Sequence, residues 1–222
     1  MLFNLDGATL IARLFVLVTA FTFHEFAHAW TANYFGDDTP RMNGRLTLNP
    51  LVHLDVLGTI LLLLAGFGWA KPVPVNPYAL QRRSPAALMW VSLAGPFSNL
   101  LMAIVAAIPF RLGLVSAAQG YQDAFGSGFH LLPTLPQLLI DFIFINLLLM
   151  LFNLIPLAPL DGDKIFDYFL PPSISRVWES IRPYGPLILM AVVFILPQLF
   201  HVDLLGTIIY PPLTFLLNAL VG

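Results

Sequence analysis

The hydrophobic positions of this chain fall in long runs, measured here against the ~20 residues a helix needs to cross a bilayer. Residues 8–35 form one such run, and residues 84–110 a second that holds no acidic or basic residue between Arg83 and Arg111. Residues 136–157 give a third, interrupted by Asp141; residues 185–200 and 204–220 give a fourth and a fifth, both short and flanked by proline. The run from Val56 to Ala70 is too short and glycine-rich for a span, and reads as a re-entrant or interfacial segment. Between spans one and two the pattern changes. Arg45-Leu46-Thr47-Leu48 alternates as a short strand does. Lys71-Pro72-Val73-Pro74-Val75-Asn76-Pro77 must be extended, because proline fixes its own φ and moves its predecessor toward β or polyproline II. In a strand Pro72 and Pro74 blank one edge while Val73 and Val75 keep their N–H groups on the other, so the segment reads either as a rigid linker between spans or as an edge able to receive an extended peptide. The expected fold is an all-α membrane protein: a polytopic helical bundle of about five spans, residues 1–222 in one domain, with a short β or extended segment between spans one and two.

Composition places this bundle in lipid. Of 222 residues, 58% are hydrophobic and 10% charged, against about 25% charged in ordinary soluble proteins. Mean hydropathy is +0.83. The net charge of −2 and the lack of a basic tail give no reason to expect nucleic acid as a partner. Cysteine is absent, which removes disulfides, thiolate metal sites and cysteine nucleophiles together. Asp6 and the lack of a basic leading stretch argue against a cleaved signal peptide. The basic residues add an orientation. Arg41, Arg45, Lys71, Arg82 and Arg83 fall between spans one and two, and Lys164, Arg176 and Arg182 between spans three and four. With five spans both loops share one side, so eight of the ten basic residues mark that side as cytoplasmic. Arg111 sits in the opposite loop and Arg13 near the outer end of span one.

The chemistry starts at His24-Glu25-Phe26-Ala27-His28, an H-E-x-x-H motif inside the first span. At ~100° per residue His24 and His28 lie about 40° apart and one turn above each other, so two imidazoles can meet one metal. Glu25 turns toward the same face, near enough to activate a water without being a ligand. Ionisable groups near the bilayer centre cost roughly 2.5–3.5 kcal/mol each. Three of them within five residues call for compensation, and a bound Zn²⁺ supplies it.

Catalytic zinc takes three protein ligands plus water, so one is missing. His130 and His201 fall on the outer side; His53 and Asp55 lie on the right one. The leading candidate is Asp161, where Pro156 and Pro159 break the third span as it leaves the membrane and Gly162 allows a sharp turn. G-x-S-x-G and G-x-G-D are both absent, which sets aside the serine and aspartyl intramembrane chemistries.

H-E-F-A-H together with N-x-x-P-x-x-x-x-D-G, running from Asn153 to Gly162, resembles the site-2 protease family of intramembrane metalloproteases. The segments Gly44–Pro50, Trp69–Pro77 and Ala94–Asn99 are similar to its small bacterial branch, and the likeness covers roughly residues 15–170. The resemblance implies zinc on His24, His28 and Asp161, with Glu25 as general acid and base. It also implies substrate or oxyanion roles for Asn99 and Asn153, and hydrolysis of peptide bonds in or near transmembrane segments of membrane proteins. PDZ or CBS-type domains known in larger members are not seen. The rival readings are a zinc-binding membrane protein without proteolytic activity and a scaffold that binds transmembrane helices.

Overall fold

Lipid leaves a spanning segment no external hydrogen-bond partner, so it must satisfy its backbone internally. The computed structural model, which describes residues 7–65, 68–126 and 132–222, is helical over most of its apolar runs. Among the described residues five helices are long and apolar enough to cross a membrane: Gly7–Tyr34, Ala87–Arg111, Leu135–Asn153, Pro172–Phe200 and Leu204–Val221. His130 lies outside the described residues.

The first span buries a stripe at every fourth position: Ala8, Ala12, Val16, Ala20, His24, His28 and Ala32. Small residues let a neighbouring backbone come close, and the second and third spans pack against this helix and against each other. The two histidines continue the same stripe, so the packing that joins the spans also carries the motif inward. The span ends at Gly36, whose φ of +85 only glycine adopts without strain. The Gly36 N–H returns to Asn33 O and the Asp37 N–H to Ala32 O. That reversal buries Asp37 at once.

Two expectations change in detail. Among the described residues there is no sheet, only one antiparallel bridge between Leu54 and Ala70. Residues 45–48 form a bend and not a strand, because the buried Arg45 side chain, and not a ladder, gathers the neighbouring carbonyls. Residues 71–76 are extended as expected, without a strand partner. The helical run at the fourth span begins at Pro172, well before residue 185. Its prolines do not break it: Pro172, Pro183, Pro186 and Pro197 each fall in the first turn of a new helical piece, where a missing N–H costs nothing.

The run Val56–Ala70 leaves and returns at one place. Its helix, Val56–Ala65, is capped by Asp55, whose carboxylate accepts from the Gly58 N–H at 2.8 Å. Leu54 then bridges Ala70, and the Lys71 N–H donates to His53 O at 2.8 Å. Gly58 permits this closeness, since a Cβ there would lie 2.3 Å from Trp69 O.

Candidate metal centre

His24 and His28 reach the centre from the first span, near its end. Asp161 reaches it from the first turn of the helix Asp161–Phe169, which follows the irregular stretch containing Pro156 and Pro159. Gly162 serves here by close approach, not by an unusual φ: a Cβ would lie 2.3 Å from Ile155 O and 2.4 Å from Leu154 O. The short helix is thus pressed against the end of the third span, and its first carboxylate meets the histidines.

The three donor atoms form a near-equilateral triangle. His24 Nε2 and His28 Nε2 are 3.0 Å apart, and each is 3.2 Å from Asp161 Oδ2. Ligands about 2.0–2.1 Å from a tetrahedral zinc are spaced about 3.3 Å from one another, so the triangle is one face of such a site. Among the described residues this is the one cluster of three His, Asp or Glu side chains able to hold a metal. The expected alternatives are engaged elsewhere: His53 Nε2 lies 2.7 Å from Thr47 O, and Asp55 caps its helix. His201 is exposed at the turn before the fifth span.

The hydrogen bonds behind the histidines fix their tautomers. Asn146 donates to Phe142 O at 2.8 Å, so its carbonyl faces Asn99 and accepts from Asn99 Nδ2 at 2.9 Å. Asn99 Oδ1 therefore faces His24 Nδ1, 2.7 Å away, and that nitrogen must donate. His28 Nδ1 likewise donates to Val91 O at 2.7 Å. With both Nδ1 atoms protonated, both neutral rings aim Nε2 lone pairs at a carboxylate oxygen. Three acceptors in a buried triangle repel one another unless a cation sits among them.

Gly95 of the second span completes the cradle. A Cβ there would lie 2.4 Å from His28 Nε2 and 2.6 Å from His24 Nε2. Glu25, Asn153 and the three donor residues line a cavity of about 530 Å³, with Pro72 and Val73 also in its wall. Asn99 does not line it. Fully buried, with its amide spent on His24 and Asn146, Asn99 stands beside the His24 imidazole and away from the cavity wall. Asn153 does line it, its Nδ2 donating to Leu149 O at 2.9 Å. Asn146 is the residue that sequence reasoning missed; its only signal was an amide in the middle of the apolar run of the third span.

The model of peptidase family M50 matches residues 12–196, which include His24, Glu25, His28, Gly95, Asn99, Asn146, Asn153 and Asp161. The chain belongs to this family, that of the site-2 proteases. It is 44% identical over 183 residues to the Bacillus subtilis protein named "Putative zinc metalloprotease YwhC", covering 82% of this chain and 78% of that one. It is 31% identical over 198 residues to the protein of Mycolicibacterium smegmatis with the same description and the name Rip2, covering 84% and 69% of the two. Rip2 of Mycobacterium tuberculosis is 29% identical over 196 residues. No solved structure matches the chain. As an M50 member it is a multi-pass membrane metalloprotease, and its buried His-His-Asp donor set suits Zn²⁺ in charge, geometry and ligand type.

Proposed function

We propose that this M50 protein is an intramembrane zinc endopeptidase that cuts peptide bonds in or near transmembrane segments of membrane proteins. His24, His28 and Asp161 hold the metal, and Glu25 is the general base and acid. One observation carries the reading: a glutamate lines the same cavity as three converging donor atoms, inside a helix long enough to span a bilayer.

Zinc, when bound, supplies Lewis acidity that polarises a scissile carbonyl and brings water toward deprotonation at neutral pH. The chain's own residues do the rest. Asn99 and Val91 hold the two imidazoles in the donating tautomer that points Nε2 inward. Glu25 takes a proton from the attacking water and returns it to the leaving amine. Asn153, on the cavity wall, is placed to donate to or orient the substrate backbone. Pro72, Val73 and Val75 line the cavity, and the basic residues of the 36–84 stretch mark that side as cytoplasmic, so water enters from there. A helical substrate must unwind locally before its carbonyl is accessible.

The test uses detergent-purified protein and a quenched single-span peptide. Chelation should abolish cleavage and zinc should restore it. Glu25→Gln should lower the rate about 10²–10⁴-fold while zinc stays near one per chain. Turnover at the wild-type rate in Glu25→Gln would remove the base assignment. Chelator-resistant cleavage would remove the metal.

A further inference from the structure

The extended segment 71–76 is not a slack connection between spans. Its first N–H, at Lys71, donates to His53 O at 2.8 Å, and its last, at Asn76, donates to Asp37 Oδ2 at 2.6 Å. Asp37 is buried, and its other oxygen accepts from the Thr39 N–H at 2.9 Å, which fixes that carboxylate to the end of the first span. Near the start of the segment, the buried guanidinium of Arg45 donates to Lys71 O and Pro72 O, both at 3.2 Å, and to Val52 O at 2.7 Å. A buried cation whose partners here are main-chain carbonyls is an expensive way to hold a linker, which apolar packing would hold equally well. It is a good way to hold one register.

What the register delivers is a single hydrogen bond. Pro72 and Pro74 have no N–H. Between the two tethered ends only Val73 and Val75 can donate, and the Val73 N–H meets Glu25 Oε2 at 3.1 Å. That donor occupies one carboxylate oxygen and leaves the other for the cavity that Glu25 lines. A carboxylate on a flexible side chain otherwise samples many orientations, and general-base catalysis rewards the one that reaches the water.

We propose that Arg45 and the Val73 N–H are positioning groups for Glu25: Arg45, with Asp37 at the far end, strings the 71–76 segment across the site so that Val73 holds the carboxylate in its proton-accepting orientation. This assigns a catalytic purpose to two stretches, Gly44–Pro50 and Lys71–Asn76, that the metal site itself does not use. It rests on Glu25 acting as the general base.

The sharpest test changes one atom. Incorporating the α-hydroxy analogue of valine at position 73 replaces the N–H with an ester oxygen and leaves the side chain alone. With the quenched single-span peptide as substrate, kcat should fall about 10-fold, with KM within twofold and zinc still near one per chain. Arg45→Met should show the same split, and Arg45→Lys, whose ammonium can still donate to the carbonyls of 71 and 72, should recover part of kcat. Wild-type kcat in both the ester and the Arg45→Met proteins would overturn the proposal. So would a loss confined to KM, which would mean that the Val73 edge reads substrate. Glu25→Gln separates the two levels. If it is inactive while the ester protein is fully active, the positioning idea falls alone. If it turns over normally, the base reading falls and takes the positioning idea with it.

Discussion

Asn146 belongs to no motif and touches no ligand, yet it decides which way the site faces. Its own bond to Phe142 O orients Asn99, and Asn99 orients His24. Groups that fix a ligating ring typically contribute 10–100-fold in metal affinity. Asn99→Ala and Asn146→Ala should each weaken zinc binding by about that factor, measured by competition with a chelator, with folding retained. Equal affinity in both variants would make the amide chain ornamental. Gly95→Ala should go further and lose the metal outright, because its Cβ would collide with both Nε2 atoms. This pattern is the reverse of that expected for Glu25→Gln, which keeps zinc and loses turnover. The histidine pair and Glu25 were legible because four residues of one helix fix their mutual geometry without any tertiary knowledge. Asp161 was legible less directly, through the prolines that end the third span. Asn146 was not legible at all, because its meaning depends on a partner 47 positions away.

At the scale of elements, lipid made the spans readable. A segment that crosses hydrocarbon must stay apolar along its whole length, and that constraint shows in the sequence. The alternation at Arg45–Leu48 misled because a side chain replaced a ladder. No local pattern announces that a guanidinium will collect three carbonyls from two other segments. The third span shows another tertiary effect. Asp141 is fully buried, and Arg13 of the first span lies 3.5 Å from it, Nε to Oδ1. The sequence placed Arg13 near the outer end of its span and marked Asp141 as an interruption of the third run, without pairing them. Removing one partner of a buried pair costs roughly 3–5 kcal/mol, whereas replacing both with apolar groups is often neutral. Arg13 is partly exposed, so the lower end applies. Arg13→Met alone should lower the melting temperature in detergent, and Arg13→Met with Asp141→Leu should recover most of the loss. Additive losses in the double variant would mean that each residue matters for a different reason.

The whole molecule raises the question of sides. An odd number of spans puts the 36–84 segment and the region after the third span on one face, and the turn near Leu114 on the other. The fourth helical run complicates the count, since Arg176 and Arg182 lie inside it. Length resolves this. Twenty-nine helical residues reach about 43 Å at 1.5 Å each, beyond a hydrocarbon core of about 30 Å. The piece Pro172–Ile181 buries none of its residues and carries Arg176 and Glu179, so the excess length falls at this polar end and the apolar remainder is left to cross. Arg182, directly after it, is tied to Asp163 and Asp167 of the Asp161 helix. On the proposed reading these basic residues gather on the side of the Asp161 helix, which the positive-inside rule would make cytoplasmic. Because the chain has no cysteine, single cysteines report sides cleanly. Met42, Tyr78 and Leu114 are exposed and lie outside the spanning helices. In intact cells, cysteine at Leu114 should react with a membrane-impermeant maleimide, and cysteines at Met42 and Tyr78 should react only after permeabilisation. The opposite pattern would turn the molecule over, so that water and any unwound substrate enter from outside the cell. Labelling of Met42 and Leu114 from the same side would be more serious, because it would break the count of spans on which the location of the site depends.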